Sequence, residues 1–368
     1  MQTSFDHRDN NFDFIRLFLA VLVIFSHSYP LGTGSEVAEP FNVLTRHQVT
    51  GGHIAVDLFF VISGFLITAS FERSTSIGSY LKKRFLRIYP GFIVAMSLAV
   101  LVVLPASGGH MDATSHIGRM ADFMGQTLRL QEFRYTGAFS NVPKPGPING
   151  SVWSIQYEFW CYIGVILLGV LGALRSNRTL IGIFLCSILA SYLFAVFRWT
   201  PGGKWLGTIF GYPPFWARLL PMYIVGVVAY KLRAHLLIRT SWIMAACGLL
   251  VAAAIMPYGW TLLFPVAGAY LVLVAAYHPA IRLHGWSRFG DFSYGTYLYA
   301  FPVQQMLMHW LGHTVPPWKL FLMAAPITLL CAVISWHAVE RWFVRAARRQ
   351  SASESRTRPE AGRERLRA

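Results

Sequence analysis

The sequence predicts an all-α, polytopic integral membrane protein with about ten transmembrane helices and both termini cytoplasmic. Three observations predict it. First, 55% of the 368 residues are hydrophobic and only 13% are charged, with a mean hydropathy of +0.46. Second, apolar segments of roughly 20 residues, long enough to span a bilayer, recur along the chain. Third, 32 Lys and Arg face 16 Asp and Glu, and the bases fall in short connections and a tail. A net charge of +16 on one soluble face would point to nucleic acid. Spread over loops beside apolar segments, it points to a membrane surface, so nucleic-acid binding is excluded.

In chain order the spans are 12–31, 54–71, 86–107, 152–173, 179–197, 215–231, 240–257, 261–278, 290–310 and 317–338. The first, FDFIRLFLAVLVIFSHSYP, follows a polar, acid-containing start and lacks a small-residue cleavage site, so it reads as a retained span. Asp57 and Ser63 interrupt the second, and YLKKRFLRIYP opens the third. The loop 108–151 carries NVPKPGPING, an irregular approach to the fourth span. Pro302 is expected to kink the ninth. Residues 10–340 form one membrane domain, and 341–368 form a basic, polar tail expected to be disordered. Cys161, Cys186, Cys247 and Cys331 lie in apolar segments without CxxC spacing. They read as small buried hydrophobes, and no metal site is expected.

Orientation follows from the bases. With both ends inside, 22 of the 32 Lys and Arg are cytoplasmic and seven are in outside loops. Arg16 then lies near the inner surface and His27 near the outer one. Eleven residues turn a helix by three turns plus about 20°, so the two share a face, separated by roughly 16 Å. Both are expensive in lipid and are expected to face protein or water. Asp57 and Glu158, near the outer ends of the second and fourth spans, can converge with His27 in depth. At the inner side Lys82, Lys83, Arg84 and Arg87 join Arg16 in a cluster suited to phosphate. Bland readings stand beside these: positive-inside retention for Lys82 and Lys83, helix capping for Asp57, a packing hydrogen bond for His27, and an Arg partnership for Glu158. The tyrosines at 294, 297 and 299 can equally line helix contacts.

Five stretches in order, FDFIRLFLAVLVIFSHSYP, GGHIAVDLFFVISGFLI, KKRFLRIYP, SVWSIQYEFWCY and FGDFSYGTYLYAFPVQQ, closely resemble the membrane acyltransferase-3 family of bacterial glycan O-acyltransferases, in its stand-alone form. The resemblance covers about residues 10–340. The family's Arg and His of the first helix match Arg16 and His27, and its basic motif matches Arg84, Arg87 and Pro90. Lys83 stands where an arginine is frequent, keeping the charge but losing the planar fork. The Trp-Ser-x-x-x-Glu motif matches Trp153, Ser154 and Glu158. The resemblance implies transfer of an acyl group, usually acetyl, from cytoplasmic acyl-CoA to a hydroxyl of an extracytoplasmic glycan or glycolipid.

On that reading His27 is the general base, aided by Glu158 or Asp57. Arg16, Lys83, Arg84 and Arg87 hold the donor. Trp153, Ser154 or a backbone N–H stabilises the oxyanion. Trp153, Ser154, Tyr294 and Tyr297 are candidates for lining the substrate path. Acyl-CoA is a cosubstrate, with no permanently bound cofactor. The expected partners are the acceptor, the bilayer of a bacterial cytoplasmic (inner) membrane, and a second copy in a homo-oligomer. Two other classes stay open: a transporter of a polar substrate, since intramembrane charges also mark transport paths, and a non-catalytic scaffold for envelope assembly.

Overall fold

The computed structural model describes residues 10–112, 115–197 and 203–347. Each of the ten expected spans contains a long helix: α1 (Phe12–Thr33), α2 (Gly51–Glu72), α3 (Ile77–Leu98), α4 (Trp153–Val170), α5 (Asn177–Phe197), α6 (Pro213–Lys231), α7 (Thr240–Ile255), α8 (Gly259–Tyr277), α9 (Ser293–Leu311) and α10 (Pro317–Ser335). Local signals set the ends. Thr50 and Ser76 cap α2 and α3 by accepting the backbone N–H of His53 and Ser79. Proline opens α6 and α10. Gly34 and Gly312 close α1 and α9 in the left-handed conformation.

Among the described residues seven helices are long and apolar enough to cross a membrane; α6, α7 and α9 fall short. α7 has only 16 residues. α9 is polar because it is enclosed by protein. It packs on α1 and α10, and buries Gln304 and Gln305. Gln304 donates to the Ile24 carbonyl at 2.9 Å and to Ser28 Oγ at 2.8 Å. A helix surrounded by other helices need not match lipid, so hydropathy understates it.

α2 is the other central helix, flanked by α1, α4 and α6. Its crossing with α6 brings two backbones together. A Cβ on Gly64 would overlap the Tyr223 carbonyl, and one on Gly226 would overlap that of Val61. This small-residue contact fixes α2 against α6. α3 and α10 each continue through a π-type turn, to Ala106 and Ala347. The expected boundary at 340 thus falls inside a helix; the rest of the tail, 348–368, lies outside the described residues. The loop 108–151 holds a helix, His116–Leu128, and a two-residue antiparallel ladder pairing His110 with Thr136. Of the cysteines only Cys161 is fully buried. Cys186 and Cys247 are exposed, on helices whose outer faces show Leu185, Leu189 and Val251.

Candidate functional site

At the end of the bundle where α1 begins lies a cavity of about 110 Å³ lined by Arg16, Arg84, Arg87, Glu158, Ser154, Tyr294 and Tyr297. Its cations are organised by acids from distant parts of the chain. Arg16 Nη1 donates to Asp291 Oδ2 at 2.8 Å, and Arg87 binds the same oxygen. Arg87 also faces Glu340 at 3.6 Å and lies over the Tyr294 ring, 5.3 Å from its centroid. Arg84 has no carboxylate partner among the described residues. It donates to Ser70 Oγ at 3.1 Å and sits about 6 Å from the ring centroids of Tyr80 and Tyr162. Lys83 does not line the cavity; its Nζ reaches Ser74 Oγ at 3.2 Å. Glu158 accepts from the Tyr162 hydroxyl at 2.7 Å and from Ser63 Oγ at 3.4 Å.

Toward the other end of α1 lies a second cavity, of about 80 Å³, lined by His27, His53, Glu36, Trp153, Val56 and Tyr297. Nδ1 of His27 is buried and has no hydrogen-bond partner among the described residues. The ring stands edge-on to Phe301, 5.3 Å between centroids. Packing thus holds the ring while its Nδ1 makes no hydrogen bond among the described residues.

Val56 and Tyr297 line both cavities and form the wall between them. The Tyr297 hydroxyl is 2.7 Å from Ser154 Oγ, which lines the basic side, while the neighbouring Trp153 lines the His27 side. The first turn of α4 therefore touches both chambers. The loop before it is anchored by Glu132, which accepts the Asn149 N–H at 2.5 Å and the Tyr135 hydroxyl at 3.3 Å. Asn149 Nδ2 in turn donates to the Leu298 carbonyl of α9 at 2.7 Å. Burial raises the Glu132 carboxyl to about 7, against the pull of these donors.

The three acid–base candidates read from the sequence are not gathered at one point. His27 is in one cavity and Glu158 in the other. Asp57 lines a third, of about 290 Å³, where Arg218 binds its Oδ1 at 2.9 Å. The helical turn explains the split, because Val56 and Asp57 diverge by about 100°. Val56 faces the α1 side, and Asp57 faces α6. Arg218 also donates to the His53 carbonyl at 2.7 Å. His53, one residue before the expected second span, lies in the first turn of α2 and lines both the His27 cavity and the Asp57 cavity.

Asp291, Arg218 and Glu340 were not singled out by sequence reasoning. A signal for Asp291 existed: it is the only acid between Glu158 and Glu340. An isolated carboxylate next to a span, in a chain with surplus arginines, is a natural partner for an intramembrane Arg. Tyr299, by contrast, is a packing residue bonded to Ser335.

The pattern matches known proteins over nearly the whole chain. Residues 9–337 match the acyltransferase-3 family, described as "Acyltransferase domain". An O-acetyl transferase of Shigella phage Sf6 is 29% identical over 358 residues, covering 92% of this chain and 97% of the relative. Nodulation protein 10 of Rhizobium leguminosarum bv. viciae is 28% identical over 364 residues, 92% of this chain and 94% of the relative. A peptidoglycan O-acetyltransferase of Listeria monocytogenes is 26% identical over 329 residues, 79% of this chain but 51% of the relative. No solved structure matches. With the helical bundle, its membrane-length helices and the motif residues placed around two adjoining cavities, the chain belongs to the acyltransferase-3 family and is a multi-pass membrane O-acyltransferase.

Proposed function

We propose that the chain moves an acyl group, acetyl in the simplest case, from acyl-CoA on the cytoplasmic side to a hydroxyl of an extracytoplasmic glycan or glycolipid. All ten helices then span a bacterial inner membrane with both termini cytoplasmic, as the distribution of Lys and Arg favours. Acyl-CoA serves as cosubstrate, and no cofactor stays bound. The names of the relatives, two of them O-acetyl transferases, support acetyl as the group and a glycan as the acceptor.

One observation carries the reading. The cavity of three arginines and the cavity of the unpartnered histidine lie along one helix and share the wall formed by Val56 and Tyr297. Arg16 and Arg87 are held in place by Asp291, while Arg84 keeps its charge for the donor's phosphates. The pantetheine arm extends past Ser154 and Tyr297 toward His27. There the His27 imidazole takes the proton of the acceptor hydroxyl as its oxygen attacks the thioester carbonyl. Collapse of the tetrahedral intermediate breaks the C–S bond, and the CoA thiolate receives the proton back from His27. The paired hydroxyls of Ser154 and Tyr297 are the nearest candidates for an oxyanion donor.

The test is release of free CoA from acetyl-CoA by protein in liposomes supplied with envelope glycan. Release that depends on acceptor, is lost in His27→Ala, and needs a higher donor concentration in Arg84→Gln supports the assignment. Glycan movement without CoA release would mark a transporter instead, and full release by folded His27→Ala would remove the role given to His27.

A further inference from the structure

The third cavity is absorbed by nothing above. It lies at the same end of the bundle as His27, among the first turns of α2, α6 and α8 and the last turns of α5, and His53 borders both. We infer that this cavity is an acceptor subsite for one uncharged sugar residue, an inference that rests on the acyl-transfer reading.

Asp57 is fully buried; Arg218 takes its Oδ1, and its Oδ2 has no partner among the described residues. Trp260 is 8% exposed, and its indole N–H is equally unclaimed. Native proteins rarely leave such atoms unpaired, and where they do a ligand or water completes them. Two helix-internal prolines add acceptors. Pro221 cannot donate to the carbonyl of Ala217, nor Pro265 to that of Thr261, and all four residues line the cavity. The residues that line the site thus carry an unpartnered carboxylate oxygen, an unpartnered indole N–H and two carbonyls that receive no proline N–H.

Charge excludes other ligand classes. Asp57 and Arg218 neutralise each other, so neither an anion nor a cation is favoured. Met222 and Phe194 supply apolar wall for a ring's C–H face. A volume of about 290 Å³ is at the small end of ligand sites and suits one monosaccharide unit rather than a chain. The amide-rich cavity beside Gln131 and Gln156 is a weaker match, because those amides are consumed by each other and by the carbonyls of Thr208 and Ile209.

The experiment uses the full chain in lipid nanodiscs. Methyl rhamnoside, methyl glucoside and methyl N-acetylglucosaminide are the probes, with binding read by saturation-transfer NMR and, separately, CoA binding read by calorimetry. At least one glycoside is expected to bind wild type and to weaken tenfold or more in Asp57→Asn and in Trp260→Phe, with CoA affinity unchanged. Asp57→Asn strips Arg218 of its counter-charge, so Trp260→Phe decides alone where the Asn variant does not fold. Equal glycoside binding in wild type and a folded Trp260→Phe, or no binding of any probe to wild type, overturns the subsite. Loss of CoA binding in wild type counts against the donor reading only, and leaves the glycoside result to decide this one.

Discussion

The two ends of α1 solve opposite problems. Around Arg16 the charges are tied down: two arginines share one carboxylate, one of them faces a second, and a neighbouring tyrosine ring lies beneath it. Around His27, Nδ1 has no hydrogen-bond partner among the described residues and the ring packs edge-on to Phe301. A region that binds a charged molecule gains from fixed, preorganised cations, since ordering them during binding would weaken it. A region that moves a proton needs a group whose hydrogen-bonding capacity is unspent until substrate arrives. If the proposed roles hold, burial alone does not distinguish a binding end from a reacting end; the state of the hydrogen bonds does.

This contrast can be broken or sharpened in order of effect. Replacing His27 by Ala is expected to lower kcat by about 10²–10⁴-fold, the usual span for a general base, with donor KM unchanged in steady-state CoA release. A matching rise in donor KM would erase the division between the ends. Asp291→Asn acts on the tied end. It leaves Arg16 and Arg87 facing each other without their shared anion, a loss on the order of 3 kcal/mol for a partly buried pair, seen as a lower Tm in detergent. An unchanged Tm would show that the knot does not hold the helices.

A pH effect follows from Glu132, outside the spans. Its folded-state value of about 7 lies above its ordinary 4.5. Between the two the native state binds more protons than the unfolded state, so stability falls as pH rises from about 4.5 to 7 and stays lower above that. Thermal scans at pH 5 and pH 8 are expected to favour pH 5, and Glu132→Gln is expected to flatten the difference. A steeper slope in the Gln variant would contradict the assignment. The smallest effect concerns Lys83, which points to Ser74 and does not line the basic cavity. Lys83→Gln is expected to change donor KM by less than about twofold, in the range of an exposed charge, whereas Arg84→Gln changes it severalfold.

The helices were legible because apolar segments of membrane length announce themselves, and each expected span contains one. The Arg16–His27 separation was legible as well, since helical geometry fixes both angle and rise. What the sequence hid was azimuth between helices. Asp57 shares a depth with His27, yet one residue of rotation from Val56 turns it to Arg218 on α6. That pairing depends on the Gly64–Gly226 crossing, which joins residues far apart in the chain and has no local signature. Pairings such as Arg87 with Asp291, 204 residues apart, are equally invisible to periodicity. The expected ninth span does hold a helix, α9, but one less apolar than the seven of membrane type, because its amide residues serve protein contacts.

The shared carboxylate also sets a schedule for biogenesis. Arg16 is made among the first residues, and Asp291 follows 275 positions later. Until then the first helix carries an intramembrane cation without its anion, and Arg87 joins it in the same state. The contact that ties α1 and α3 together can therefore form only once the segment just before α9 has been made. A chain cut before residue 291 would lack the carboxylate that Arg16 and Arg87 share in the completed protein.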